Sequence, residues 1–331
     1  MTRLRLTKKL LGPLGIVLLM AGCGGAQSAM NGAVPQGTAV QSQVHKASGS
    51  WMSHQAKGQN LLYASDNPRN NVYVFSYPEG KQLGTLTGFD SPVGECVDST
   101  DNVWIVNQLP AEVIEYAHGG TTPIGTLSVP GQWPYGCAID LATGNLAVTH
   151  DGNEVSVYQN AQGTPTTYTA SNFISMHFCG YDNKSNFFAV GYDGGFGTGA
   201  WALAELSNGG NNLEPFSLNQ NVGQISIVQW DGKYLAVGGV SPYHSHKPVT
   251  VYQVQVSGSQ ATVEGTTLLR SRSNSSIFTQ FWIQGKTIIQ PSRDSRQIGM
   301  WRYPAGGDPV KLIRHVPATD VWGVAVSLAK T

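Results

Sequence analysis

One pattern that recurs roughly every 40–50 residues limits this chain to a small set of folds. Each copy has an alternating segment of the Val-x-Val-Tyr type, a turn with Gly, and a short apolar segment. The clearest copies then continue into Pro92–Asp98 and Pro134–Asp140, which share the sequence Pro-x-Gly-x-x-x-Asp, and the third into His177–Asp182. The alternating segments are Asn71–Phe75, Glu112–Tyr116, Glu154–Tyr158, Val249–Tyr252 and Ile298–Tyr303.

Six short apolar segments between these copies mark the same period. Their starts are separated by 42, 43, 41, 47 and 53 residues. Each period holds four strand-sized segments bounded by Gly, Pro or Asn, and none shows the i, i+3, i+4 apolar spacing of a helix. Four strands in such a period are typical of one blade of a β-propeller. The segments are Leu61–Ala64, Val103–Val106, Leu146–Val148, Phe187–Val190, Tyr234–Val237 and Thr287–Ile289.

The six periods predict an all-β fold over residues 51–331, a six-bladed β-propeller with strands A to D from the centre outwards. The chain begins with a strand B at Leu61, and its last strand, Val321–Val326, resembles a strand A. We expect the C-terminal strand to complete the first blade, because that closure leaves no free sheet edge in the ring. We also expect the propeller body to be monomeric.

Residues 1–22 predict an export signal. Four basic residues among the first nine precede an apolar run, Leu10–Ala21, that is shorter than the roughly 20 residues of a membrane span. Leu19–Cys23 resembles the lipobox of bacterial lipoproteins, which implies cleavage before Cys23 and lipidation of that residue. Gly24 after the cysteine implies the outer membrane. The open alternative is an ordinary secretory signal with an incidental cysteine.

Residues 23–50 predict a lipidated cysteine followed by a flexible tether. The segment is rich in Gly, Ala, Gln and Ser and has no sustained period. Its mean reach would be roughly 30 Å. The sequence therefore predicts a lipid membrane as partner of the N-terminus and places the propeller in the bacterial cell envelope.

The charge pattern argues against a nucleic-acid partner. Charged residues make up only 12% of the chain, and its formal net charge is zero. Loss of the four basic residues of the signal leaves 16 Lys and Arg against 20 Asp and Glu. A mildly acidic body does not attract phosphates, and so few charges also exclude a coiled coil or a charged disordered chain.

The loops that join strand D to the next strand A, and strand B to strand C, share one face of a propeller, here called the upper face. Its two longest predicted loops contain Asp193–Gly199 and Ser241–His246. Long loops on a rigid scaffold often bind ligands, and aromatic rings beside polar groups suit a glycan or a peptide. Alternatively, Trp133 and Trp322 wedge between blades. The predicted ligand-binding residues are Trp133, Tyr135, Tyr192, Asp193, Tyr243, His244, His246, Arg293, Asp294, His315 and Trp322.

The Pro-x-Gly-x-x-x-Asp sequence, the apolar strand and the x-Val-x-Val-Tyr segment together resemble NHL-repeat and gluconolactonase-like propellers, from about residue 60 to residue 331. The resemblance implies a divalent cation near the channel mouth that acts as a Lewis acid on a lactone carbonyl. The candidate ligands that it implies are Glu95, Asn107 and Asp193. Glu95 lies in Gly-Glu-Cys rather than Glu-Gly-Pro, so it could instead simply line the channel.

His244 and His246 form a His-x-His pair, which could share a metal ion if the segment is extended. The alternative is a polar loop with two solvated imidazoles. The sequence predicts no cofactor other than this divalent cation, since it contains neither a haem-attachment motif nor a phosphate-binding loop.

Three cysteines follow Cys23, and all fall on predicted inner strands. When the copies are aligned on their Asp residues, Cys137 and Cys179 share one position and Cys96 lies one residue later. Cys96 therefore points to the opposite face of its strand. Cys96 and Cys137 either face each other, where a disulfide could form, or both face away, buried as small apolar residues.

Two classes of function remain open. The favoured one is a tethered scaffold that binds an envelope protein, a glycan or a peptide on its upper face without turnover. The alternative is a metal-dependent, lactonase-like hydrolase or lyase that uses the same face.

Overall fold

The structure, a computed structural model, describes residues 49–131, 133–171, 173–194, 201–222, 224–240, 249–270, 279–292 and 295–330. These ranges contain 25 strands and three 3₁₀ turns, Ala56–Gly58, Asn67–Arg69 and Gln159–Ala161. No helix within them has the length and apolar character that a membrane crossing needs. In chain order the strands are β1 (Trp51–Met52), β2 (Leu61–Asp66), β3 (Asn71–Ser76), β4 (Gln82–Leu86), β5 (Pro92–Val97), β6 (Val103–Asn107), β7 (Glu112–Tyr116), β8 (Pro123–Ser128), β9 (Pro134–Ile139), β10 (Leu146–His150), β11 (Glu154–Tyr158), β12 (Thr166–Thr169), β13 (Ser175–Tyr181), β14 (Phe187–Tyr192), β15 (Trp201–Leu206), β16 (Glu214–Leu218), β17 (Gln224–Trp230), β18 (Leu235–Val240), β19 (Val249–Ser257), β20 (Gln260–Leu269), β21 (Trp282–Gln284), β22 (Thr287–Ser292), β23 (Gln297–Arg302), β24 (Lys311–Ile313) and β25 (Val321–Ser327).

The strands form antiparallel meanders in which the chain runs from the innermost strand outwards. Three sheets have four strands each, in the orders β5-β6-β7-β8, β9-β10-β11-β12 and β21-β22-β23-β24. Their turns are short and contain the Gly, Asn and Asp residues that the sequence places between the alternating segments. The repeat of the sequence is therefore a repeat of hydrogen-bonded meanders.

The C-terminal strand closes the ring, as the sequence predicts. β25 is the innermost strand of the sheet β25-β2-β3-β4-β1, where Leu61 pairs with Ser327 and Ala64 with Val324. The closure is supported at its upper end by the Asp66 carboxylate, which accepts hydrogen bonds from the backbone amides of Thr319 (2.8 Å) and Asp320 (3.2 Å). The two ends of the repeat region are thus held in one sheet.

One sheet differs from the predicted six separate blades. The meanders β13-β14-β15-β16 and β17-β18-β19-β20 form a single eight-stranded sheet, because their outermost strands β16 and β20 pair in parallel. The physical reason is the length of the β19–β20 hairpin, whose strands have nine and ten residues. Its far end reaches β16, where Ser217 lies opposite Gln260 and Leu218 opposite Ala261.

The motif glycine allows the innermost strands to pack tightly around the channel. A Cβ at Gly94 would lie 2.6 Å from the carbonyl oxygen of Tyr135, and one at Gly136 would lie 2.8 Å from that of His177. Buried apolar clusters lie between successive meanders, for example Leu61 and Tyr63 with Ile105 and Ile114. The result is an all-β, propeller-like fold with its core between the sheets.

Candidate functional site

Three predicted face residues, Tyr135, Tyr192 and Trp322, meet in one aromatic cluster toward the upper end of the channel. The ring of Tyr135 stacks on His177 at a centroid distance of 4.7 Å and meets Trp322 edge-on at 5.9 Å. His177 lies 5.1 Å from Tyr192, which lies 5.6 Å from Trp201. The cluster thus connects the inner ends of three sheets.

The same level of the channel is filled by apolar side chains. Val93, Phe178, Ile227 and Phe281 belong to one buried cluster with Tyr135, and Trp322 packs against it. We call this set the aromatic plug. These residues come from different inner strands or from the segment before β21, so the plug is one apolar cluster that joins the inner strands of the ring.

His177 is a member of this cluster that sequence reasoning missed. It aligns with Val93 and Tyr135, the residues before the motif glycine, and that shared position is the signal that could have found it. Burial lowers the pKa of His177 to about 3. Its imidazole is therefore neutral at ordinary pH and acts as a flat ring in the packing.

The other described face residues lie apart from this cluster. Trp133 is 45% exposed and has a positive φ of 57°, so it is not wedged between sheets. Asp193 and His315 are also exposed. The remaining predicted residues, Tyr243, His244, His246, Arg293 and Asp294, lie outside the described residues, as does Cys23.

The upper face carries three exposed apolar side chains, of which the sequence analysis singled out only Trp133. Leu109 is 39% exposed and Ile174 is 56% exposed, on loops that flank the loop of Trp133. The loops are linked in sequence around the ring, since the Gln108 side chain donates to the Pro134 carbonyl (3.4 Å) and the Asp151 amide donates to the Trp133 carbonyl (2.8 Å). We call Leu109, Trp133 and Ile174 the apolar row.

Glu95 is fully buried, and its carboxyl group faces β2 rather than a shared ligand site. Its Oε1 accepts a hydrogen bond from the Ser65 hydroxyl (2.6 Å), whereas Oε2 makes no hydrogen bond of normal geometry with the described residues. Burial raises the pKa of Glu95 to about 8, against smaller lowering effects of the Ser65 hydroxyl and the Ala325 amide. The group is mainly a neutral acid near pH 7.

Asn107, the second implied ligand, is occupied by its own loop. Its Oδ1 accepts from the Asp90 amide (2.7 Å), and its Nδ2 donates to Glu112 (2.7 Å). Within the described ranges, no group of three or more His, Cys, Asp or Glu side chains is placed to hold a metal ion. The metal prediction for His244 and His246 stays a prediction.

The repeated aspartate has a local role that its position alone did not reveal. Asp98 Oδ1 accepts hydrogen bonds from the amides of Thr100 (2.8 Å) and Asn102 (2.9 Å). Asp182 Oδ1 does the same for Lys184 (2.8 Å) and Asn186 (2.9 Å). An aspartate that accepts from amides two and four residues later fixes the turn from the innermost strand to the next.

The cysteines follow one of the two arrangements left open by the sequence. Cys96 and Cys137 form a disulfide between the innermost strands β5 and β9, with a Cα–Cα distance of 5.7 Å. Cys179 is a buried free thiol. Burial raises the pKa of the Cys179 thiol, so it is not an activated nucleophile.

A cavity lies on the face opposite to the predicted one. Its volume is about 590 Å³, and it is lined by the later halves of the innermost strands and the turns that follow them. These turns form the face we call lower. The disulfide and Cys179 contribute to its wall, and Phe281 of the plug borders it. The sequence analysis looked for a binding site among the longest loops and therefore missed this cavity, which is formed by the ends of the innermost strands.

Comparison with solved structures identifies the architecture. A chain of the nidogen/laminin complex superposes with a TM-score of 0.64 at 10% identity, over 82% of this chain and all of that one. The chain folds as a β-propeller. Hydrazine synthase of Kuenenia stuttgartiensis gives a TM-score of 0.51 at 15% identity, over 82% of this chain and 80% of that one. At these identities the likeness shows the fold alone.

Sequence comparison does not place the propeller in a family. No family model matches. A serine/threonine-protein kinase of Drosophila virilis, PLK4, is 33% identical over 112 residues, which is 34% of this chain. The match spans only 13% of that kinase, so it carries no activity to the propeller.

Proposed function

We propose that this protein is a tethered scaffold that binds a partner protein through the upper face of its propeller. The observation that carries the proposal is the apolar row of Leu109, Trp133 and Ile174. Their exposed fractions are large for side chains of this type, and the loops that present them are neighbours around the ring.

The apolar row has the character of a protein-recognition surface. Exposed apolar side chains grouped on one face mark interaction sites more often than scattered ones do, and Trp is enriched among residues that dominate binding energy. The loops of the row are joined to their neighbours by hydrogen bonds, such as that from the Asp151 amide to the Trp133 carbonyl (2.8 Å). The row is therefore presented by a scaffold that needs little ordering on binding, which favours affinity.

The structural neighbour is consistent with this function. The matched chain belongs to a complex of two proteins, nidogen and laminin. We infer that the present propeller likewise serves protein association, here with a protein of the cell envelope. We also infer that the eight-stranded sheet counts as two blades, which gives six, and that the chain is related to NHL-repeat propellers.

The N-terminus supplies the tether in this proposal. Residues 1–22 would be removed as a signal, and Cys23 would carry the lipid that holds the propeller at the outer membrane. A Cys23→Ala variant should then move from the membrane fraction to the soluble fraction of its host. Retention of this variant in the membrane fraction would show that the cysteine is not the anchor.

A site-specific photo-crosslink tests the binding surface. Trp133 and Trp51 are a matched pair, because Trp51 is 48% exposed but lies on the outermost strand β1 rather than on one of the three loops that carry the apolar row. With a photoreactive phenylalanine analogue at either position in the intact chain, we expect a discrete protein adduct from position 133 and none from position 51.

The adduct then allows a quantitative test with purified components. Trp133→Ala should weaken binding of the captured protein by about 30-fold, the loss expected for a central aromatic contact of roughly 2 kcal/mol. Trp51→Ala should leave the affinity unchanged. Identical adducts at both positions, or equal affinities of the two variants, would refute the apolar row as the binding surface.

A further inference from the structure

We propose a second site, a binding site in the lower cavity for a small organic cation with an apolar or aromatic body. This proposal does not depend on the upper-face function, since the cavity lies on the opposite face from the apolar row. It rests on the size of the cavity, the chemistry of its walls and the charge at its rim.

The cavity has the size and lining of a small-molecule site. Its volume of about 590 Å³ falls within the roughly 300–1,000 Å³ of typical ligand pockets. Its apolar lining comes from several repeats of the ring and includes Ile139, Val228, Phe281, Trp282 and Val326. A ligand would therefore be surrounded by walls whose positions are fixed by sheet hydrogen bonds.

The charge of the lining has one sign. Asp98, Asp101 and Asp182 stand at the rim, and Asp140 lies deeper and is buried. No Lys, Arg or His among the described residues lines the cavity, and Lys184, which follows one of the turns, is not part of the wall. Carboxylates around a mouth with apolar walls attract cations and repel anions.

The carboxylates are held in place by bonds that leave their charge uncompensated. All three hydrogen bonds that Asp98 accepts, from Thr100 and Asn102, go to Oδ1. Asp101 accepts from the Leu328 amide with its Oδ1 (3.0 Å). These donors are neutral amides and a hydroxyl, so the charge of each group remains available to a ligand.

The apolar part of the wall selects what kind of cation would bind. Trp230 and Trp282 line the cavity together with Tyr181, and aromatic faces attract organic cations. The buried indole Nε1 of Trp230 has no hydrogen-bond partner among the described residues, so it could donate to an oxygen of the ligand. A hydrated metal ion would gain nothing from such walls, whereas an amine on an aromatic or aliphatic body would contact both the walls and the rim.

The test compares three probes that share a carbon skeleton but differ in charge. Binding of 4-phenylbutylamine, 4-phenylbutanol and 4-phenylbutyrate to the purified full chain is measured by calorimetric titration at low salt. We expect saturable binding of the amine, weaker binding of the alcohol and none of the carboxylate. The affinity for the amine should fall as salt is raised, because the rim is open to solvent.

A matched pair of variants locates the site. Asp98→Asn with Asp101→Asn removes two charges but keeps the Oδ1 acceptors, and Asn tolerates the positive φ of 65° at position 101. This double variant should bind the amine roughly tenfold more weakly. Asp90→Asn, which removes an exposed charge outside the cavity, should bind it as the wild type does.

Each result has one meaning. Millimolar or tighter binding of the amine that is weakened only by the rim variant supports the site. Equal binding of amine and carboxylate, no saturable binding of the amine in the millimolar range, or equal effects of the rim and Asp90 variants would overturn it. None of these outcomes alters the crosslinking result at Trp133, so the two proposals fail separately.

Discussion

Gly136→Ala tests the central claim about the fold, that the innermost strands pack backbone against backbone around the channel. The added methyl group would lie 2.8 Å from the carbonyl oxygen of His177 and 2.9 Å from the Cα of Phe178. Both atoms belong to the backbone of β13, so no side-chain rotation can relieve the contact. The neighbouring strand must shift instead.

The expected loss of stability follows from two opposed effects. Overpacking a tight core contact costs typically about 1–3 kcal/mol. Replacing Gly by Ala also restricts the unfolded chain, which stabilises the native state by about 0.4–1 kcal/mol. For Gly136 the net effect should be a decrease of roughly 1–2 kcal/mol in the free energy of unfolding.

Gly152→Ala is the matched control for this change. No atom lies within 4 Å of a Cβ at Gly152, and its φ is not in the left-handed region. Only the effect on the unfolded chain remains, so this variant should equal or slightly exceed the wild type in stability. Urea unfolding of both variants, with unchanged slope, measures the difference. If Gly136→Ala proves as stable as Gly152→Ala, the close packing of the innermost strands is wrong.

Three further results are expected. Because burial raises the pKa of Glu95 to about 8 from an ordinary value of 4.5, the folded protein keeps a proton between these pH values that the unfolded chain releases. As the pH rises from 4.5 to 8, the free energy of unfolding should therefore fall by about 1.4 kcal/mol per pH unit relative to that of Glu95→Gln. The same pH dependence of denaturation in the wild type and the variant would contradict this. The disulfide closes a loop with a sequence separation of 41, so the double variant Cys96→Ala with Cys137→Ala should lower the free energy of unfolding by about 4 kcal/mol. The loss should appear as a lower denaturation midpoint, and an unchanged midpoint would show that the cross-link does not stabilise the fold. Cys179 should react with a maleimide only after denaturation, because its thiol is buried and has a raised pKa. Mass spectrometry measures the labelling, and rapid labelling of the native protein would show that the thiol is accessible.

The sequence predicts the ring well because its information is local and repeated. Alternation, turn residues and the motif glycine each act within a few residues, and copies of the pattern reinforce one another. The pairing of β25 with β2 also follows from the repeat, since the first copy lacks a strand A and the last has one to spare.

Features that depend on contacts between copies were harder to predict. The parallel pairing of β16 with β20 arises from the extra length of one hairpin, and the repeat does not specify the length of its hairpins. The position of the motif Asp did not reveal that Asp98 and Asp182 fix turns by accepting hydrogen bonds from backbone amides. The carboxyl of Glu95 is turned toward Ser65 of the neighbouring sheet, a direction that spacing along one strand cannot give.

The chemistry of the two faces follows from which part of the repeat forms each one. The upper face is built from loops of variable length and sequence, and there Leu109, Trp133 and Ile174 lie exposed. The lower face is built from the turns after the innermost strands, where the repeat itself places an Asp in copy after copy. A negative rim is therefore a consequence of turn chemistry repeated around a ring, and it lies on the opposite face from the apolar row. A partner protein on one face and an organic cation on the other would then bind independently, so that saturating the lower cavity with 4-phenylbutylamine should leave the affinity at Trp133 unchanged.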